Sequence, residues 1–205
     1  MVAGILNRIG SLGPQAGKRS RGELVLEALD HASAEEAAEA LTDLDPAAYR
    51  SFNLVVGDAE AAYWLRNLGN SNRVEVFPLP PGLSMLTARD RNDQRSPRIF
   101  ANLHRFEEAP PPDPDQGDWA AWQALLASRE APQVPGSPEG AAWSMGAIGA
   151  MGAMTVVTEE GFGTTSSSLI ALPAPPEDLK ATPRQPVWLF APGRPDLQAY
   201  QSVAL

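Results

Sequence analysis

Apolar residues fall in short blocks along this chain, and their spacing changes from block to block. VAGIL, from Val2 to Leu6, predicts a short buried strand. GELVLEALDHA, from Gly22, places Leu24, Leu26, Ala28 and Leu29 around a helix, with Gly22 at the capping position. SAEEAAEALTDLD begins on Ser33 and carries Glu36 three residues later, a capping-box spacing. Ala37, Ala40, Leu41 and Leu44 form the apolar face of that second helix.

The period shortens after Ser51. FNLVVGDAEAAYWLRNLG predicts two strands, near 52–56 and 62–66, with a turn at Gly57–Glu60. VEVFPL and LSMLT predict two more, separated by the pairing-breaker PLPPG at Pro78–Gly82. SPRIFANLHRF has Ser96 as N-cap and Pro97 at the first helical position. APPPDPDQG is an extended connector. DWAAWQALLAS predicts a helix capped by Asp118, with Trp119, Trp122, Leu125 and Leu126 on one face. Residues 130–140 form a Pro/Gly loop. MTVVTEEGFGTTSSSLIAL predicts a hairpin turning near Glu160–Gly163, with Leu169 to Leu172 entering the core. PVWLFAPGRPDLQAYQSVAL predicts a last hairpin around Ala191–Asp196. Several antiparallel strands with about four helices, the helices paired between strand groups, point to an α+β sandwich rather than βαβ repeats.

Composition narrows the chemistry. The chain has 205 residues with 43% hydrophobic content, enough to bury a core. Without cysteine it has no disulfide, thiolate metal site or Cys nucleophile. With two histidines, His31 and His104, a His-based zinc site would have to recruit carboxylates. The net charge of −9 argues against nucleic acid, whose phosphates need Lys and Arg. No secretory leader is recognisable, and the Ala/Gly/Met run Ala141–Val157 is short for a membrane span. The expectation is a cytoplasmic protein with no membrane span and no metal.

Charge is also segregated. Residues 1–22 carry four bases (Arg8, Lys18, Arg19, Arg21) and no acid, whereas residues 23–60 carry ten acids and one base, Arg50. A second basic island, 89–105, holds five arginines. Converging islands would make an anion site; separate ones would be solvated patches. The stretch GPQAGKRSRGEL, Gly13–Leu24, looks like a phosphate loop but is not one. Only three residues separate Gly13 from Gly17, one of them is Pro14, and Arg19 stands where a hydroxyl should bind magnesium. Lys18, Arg19 and Arg21 nevertheless sit at a helix start, where backbone N–H groups favour anions, and Arg98 lies in the first turn of another helix. These four are the candidate anion-binding residues.

Thr164–Ser168, TTSSS, reads as the polar face of a strand after a glycine turn, or as donors lining a pocket. No Gly-x-Ser-x-Gly elbow marks a nucleophile there. Asn7, Asn53, Thr164 and Ser166 are the candidate pocket-lining residues. The Glu-Glu pairs are sequence neighbours and do not share a face. DPDQGD lacks the downstream glutamate of a calcium loop. No catalytic constellation emerges.

Five blocks, ILNRIGSLGPQAGKRSRGELVLEAL, YRSFNLVVGD, PPGLSMLTARDRNDQRSPRI, GDWAAWQALLA and GFGTTSSSLIALP, occur in the order of the NRDE family, also called the transport and Golgi organisation protein 2 family. The resemblance covers nearly the whole chain, so residues 1–205 are expected to be one family domain. It implies an αββα sandwich like that of N-terminal-nucleophile (Ntn) hydrolases. It also implies a Cys directly after the initiator Met, followed by the Asn-Arg-Asp-Glu motif. The sequence has neither; the similar RNDQ at Arg91–Gln94 is out of place. The expectation is therefore a chain that begins part-way through the family domain, without its N-terminal strand. Ntn catalysis works from a first-residue nucleophile, and this chain starts Met1-Val2.

The resemblance further implies haem handling or lipid-linked roles. The leading expectation is a non-catalytic binding or trafficking protein for an amphipathic anion, haem or acyl-CoA-like. Haem iron would have to borrow His31, His104 or Met85. The alternative is an Ntn-type amidohydrolase whose Cys lies upstream of this sequence. A third is a homo-oligomer, or a partner chain covering an exposed sheet edge.

Overall fold

The computed structural model describes residues 1–130, 152–159, 161–175 and 184–205. Described strands are β1 (Val2–Asn7), β2 (Phe52–Gly57), β3 (Ala62–Asn67), β4 (Glu75–Pro78), β5 (Ser167–Ala171), β6 (Val187–Ala191) and β7 (Gln201–Ser202). Helices are α1 (Gly22–Leu29), α2 (Ala34–Ala40), α3 (Pro97–Glu108) and α4 (Ala120–Ala127). Two antiparallel sheets and four helices among the described residues bear out the α+β class. The chain divides into two compact units, Met1–Arg91 with Leu172–Arg184, and Asn92–Ala171 with Gln185–Leu205.

In the first unit the sheet runs β1-β2-β3-β4, all antiparallel. Phe52, Leu54 and Val56 alternate onto one face and are fully buried there with Leu65, Leu24, Ala28 and Leu41. Helix α2 offers Ala34, Ala37 and Ala38 to this core, so its backbone can approach the sheet closely. Ser33 caps α2 by accepting from the Glu36 N–H at 3.1 Å. The Glu36 carboxylate reaches back to the N–H of Ala32, one residue before the capping-box partner. Asp58, in the β2–β3 turn, accepts from the N–H groups of Ala34, Glu60 and Ala61, and so ties the start of α2 to the hairpin.

Several local expectations change. The N-cap of α1 is Arg21, and Gly22 is its first helical residue. Leu26 and Leu29 are exposed, because α1 buries one narrow stripe, Leu24 and Ala28. Ala40 is likewise exposed. LSMLT is not a strand. Its last residue and the two that follow are held by other bonds: Ala88 accepts from the Ile9 N–H, while Thr87 and Arg89 accept from the Asn53 amide.

In the second unit, Pro97 opens α3 as expected, but Ser96 makes no side-chain cap bond. Trp119, not Asp118, is the N-cap of α4, although the Asp118 carboxylate still accepts from the Ala120 N–H. The connector closes into a turn, with Asp113 and Asp118 exchanging backbone bonds. Phe106 and Trp122 pack edge-on at 5.3 Å between α3 and α4. The second sheet runs β5-β6-β7. Of the hairpin expected before it, the described residues show the Thr158 N–H bonded to the Phe162 carbonyl and an antiparallel bridge between Val157 and Gly163. Leu169 is buried but Ile170 is exposed, since neighbours on a strand face opposite ways. The last hairpin is present around Arg194 and Asp196, which pair at 2.5 Å. The predicted loop at 130–140, apart from Glu130, and most of the Ala/Gly/Met run lie outside the described residues.

Candidate functional site

The first unit holds an open pocket of about 490 Å³ at the entry to α1. Its walls come from β1 (Ile5, Asn7), the loop Gly13–Gln15, the segment Lys18–Gly22, and Arg50. Three of the four candidate anion-binding residues, Lys18, Arg19 and Arg21, meet there with Asn7. No carboxylate lines it.

Arg50 explains how the loop is built. Its guanidinium donates to the carbonyls of Gly10 at 2.7 Å, Leu12 at 2.7 Å, Gly13 at 3.0 Å and Pro14 at 3.4 Å. Gly10 and Gly13 have φ of +74° and +79°, the left-handed region that glycine enters without penalty. The loop thus turns carbonyls inward, onto a cation of its own chain. A phosphate loop does the reverse, turning N–H groups inward onto an anion.

The other cations are also anchored on neutral oxygens. Lys18 donates to the Ala47 carbonyl. Arg21 donates to Ser11 Oγ and the Ser51 carbonyl, each at 2.9 Å. Arg19 differs: it pairs with Glu23 at 2.7 Å and lies over the Tyr49 ring at 5.2 Å. Among the described residues, Lys18, Arg21 and Arg50 pair with no carboxylate. Carbonyl bonds fix these cations without neutralising them. Arg21 shows the strain. Burial, and then the nearby Arg50 charge, pull its guanidinium below the usual arginine range.

The remaining candidates lie elsewhere. Asn53 is fully buried and does not line the pocket. Its carbonyl accepts from Arg8 at 2.6 Å and Trp64 Nε1 at 3.1 Å, and its amide donates to Thr87 and Arg89, both at 2.8 Å. Around it, Asp90 bridges Arg8 and Arg66 at 2.8 and 2.6 Å. Arg66 also pairs with Glu75 and lies over the stacked Trp64 and Phe77 rings. This is a closed structural network.

Arg98 belongs to the second unit. There its Nε donates to the Ala153 carbonyl at 3.1 Å, and burial lowers its pKa from the usual value. Thr164 and Ser166 are in that unit too. Thr164 Oγ1 accepts from the Val156 N–H at 2.9 Å, and Ser166 is exposed. His31 and His104 are half-buried and exposed, and neither lines the pocket. No group able to hold a metal occurs among the described residues. No helix among them is long and apolar enough to cross a membrane.

The family model for Transport and Golgi organisation 2 matches residues 1–174, which include both the pocket loop and the Asn53 network. The chain belongs to this family. No curated protein and no solved structure matched. The pocket of this family member was partly legible beforehand, through the acid-free run of residues 1–22. Arg50, its organising residue, was missed. Its signal was its place as the single base among the ten acids of residues 23–60.

Proposed function

We propose that this member of the Transport and Golgi organisation 2 family binds an amphipathic anion at the α1 pocket, without catalysis, in a transport role. The observation that carries the reading is the set of three cations, Lys18, Arg21 and Arg50, held by neutral oxygens beside one cavity with no carboxylate in its wall. An incoming phosphate or carboxylate would relieve the Arg21–Arg50 repulsion and gain charge-assisted hydrogen bonds. Ile5 and Pro14 supply apolar wall.

Between the two ligand types expected from the sequence, the donor set favours the acyl-CoA-like one. No His, Met, Cys or Tyr lines the pocket, so haem there would be held by its propionates alone.

The test is a titration of the purified protein with a long-chain acyl-CoA and with haem, followed by calorimetry. Saturable acyl-CoA binding that weakens about tenfold in Arg21→Gln supports the proposal. No saturable heat with either ligand contradicts it.

A further inference from the structure

The end of the first sheet that carries the pocket has a second property. Strand register aligns Asn7 with Phe52 and Phe52 with Asn67. The chain leaving β1, the chain entering β2 and the chain leaving β3 therefore emerge together. Cross-bonds confirm the grouping. Arg19 N–H and Lys18 reach the carbonyls of Ala48 and Ala47, Asn67 reaches that of Pro46, and Arg50 and Arg21 tie to the 10–14 loop and to Ser51.

Three large aliphatic side chains are exposed on these connections: Ile9 at 56%, Leu12 at 68% and Leu68 at 40%. The same connections, residues 8–21, 44–51 and 68–74, hold six bases and one acid, Asp45; Arg8 and Arg19 are paired with Asp90 and Glu23, and among the described residues Lys18, Arg21, Arg50 and Arg73 pair with no carboxylate. The protein as a whole is at −9. Exposed Leu26 has no such setting, since it stands between Glu23 and Glu27 on α1. Leu12 is also held out by design of the loop: Arg50 grips its carbonyl, so the backbone is fixed while the side chain stays in solvent.

Aliphatic side chains raised from a cationic rim match a bilayer surface with anionic headgroups. The apolar groups enter the acyl boundary, and the bases meet the headgroups. We infer that this end of the first unit docks peripherally on anionic lipid surfaces, through Ile9, Leu12 and Leu68 with Arg73 and the pocket cations around them. The inference does not depend on the ligand proposed above. A free acyl-CoA could bind a protein that never touches a membrane, and the reverse is equally consistent.

The experiment is flotation of the whole protein with vesicles of phosphatidylcholine, with and without phosphatidylglycerol. Binding is expected with phosphatidylglycerol at low salt, and loss of it with phosphatidylcholine alone or at high salt. Ile9→Ser with Leu12→Ser should lower the partition coefficient by about tenfold or more, from the apolar transfer lost. Arg73→Glu, outside the pocket, should lower it more than about fivefold. All three sites are exposed, and a thermal melt of each variant checks that it folds. No partition at low salt, equal partition into both vesicle types, or full partition by the Ile9/Leu12 variant would overturn the inference. Acyl-CoA titration of that variant without vesicles reads the pocket separately.

Discussion

Asn53 makes four side-chain hydrogen bonds, to four different residues of the first unit. It is fully buried in the middle of a hydrophobic strand, where an apolar side chain would ordinarily pack. Its amide satisfies a guanidinium, an indole N–H and two backbone carbonyls from the 87–89 segment. Asn53→Ala would leave several of these groups buried without a partner, at a cost of about 3 kcal/mol. Urea unfolding should show that loss as a lower midpoint with an unchanged slope. A midpoint within error of wild type would show that the network rearranges freely. The residue was readable as polar but not as structural. Its partners come from Arg8, Trp64, Thr87 and Arg89, positions that share no periodicity with it.

At the scale of elements, Asp58 couples two neighbours that sequence spacing treats as separate, the β2–β3 hairpin and the α2 N-terminus. The backbone N–H groups of Ala34 and Ala61 hold its carboxyl below the usual aspartate value of 3.8. The sign follows from the ionised form being favoured in the folded state. The stabilisation is complete above the unfolded-state value and is lost as pH falls through the lower folded value. Thermal stability of wild type should therefore fall more steeply below about pH 4 than that of Asp58→Asn. Parallel curves for the two proteins would contradict this role.

Most elements were legible from such local patterns. FNLVV and AYWLR are strands because β-branched and aromatic residues alternate between tight turns, and Ser33 and Pro97 mark true helix starts. LSMLT misled because its composition suits a strand, while the chain just after it bonds to Ile9 and Asn53 rather than to a ladder. The caps at Gly22 and Asp118 slipped by one residue, the usual margin at a helix end.

At the scale of the whole molecule, the segregation of charge is the feature that reaches furthest. In a protein of net −9, residues 1–22 form an acid-free run, and three of its four bases, Lys18, Arg19 and Arg21, line one pocket with Arg50 added from an acidic stretch, while Arg8 joins the Asn53 network. The second basic island is split between the units, with Arg89 and Arg91 in the first, and its three arginines in the second unit line no such pocket. Arg98 is bound to Ala153, Arg95 pairs with Asp93, and Arg105 bonds to Asn102. Charge counts along a sequence locate bases, but they do not tell which will be buried, as Arg98 is, or paired with carboxylates, as Arg95 is.

The most direct test of the account is where an amphipathic anion binds. Backbone amide shifts of the labelled protein should be followed during titration with a long-chain acyl-CoA. The account predicts saturable shifts concentrated at Gly13, Gln15, Lys18–Gly22 and Arg50, with α3 and α4 unmoved. Shifts centred on α3 and α4, or no saturable shifts, would contradict it.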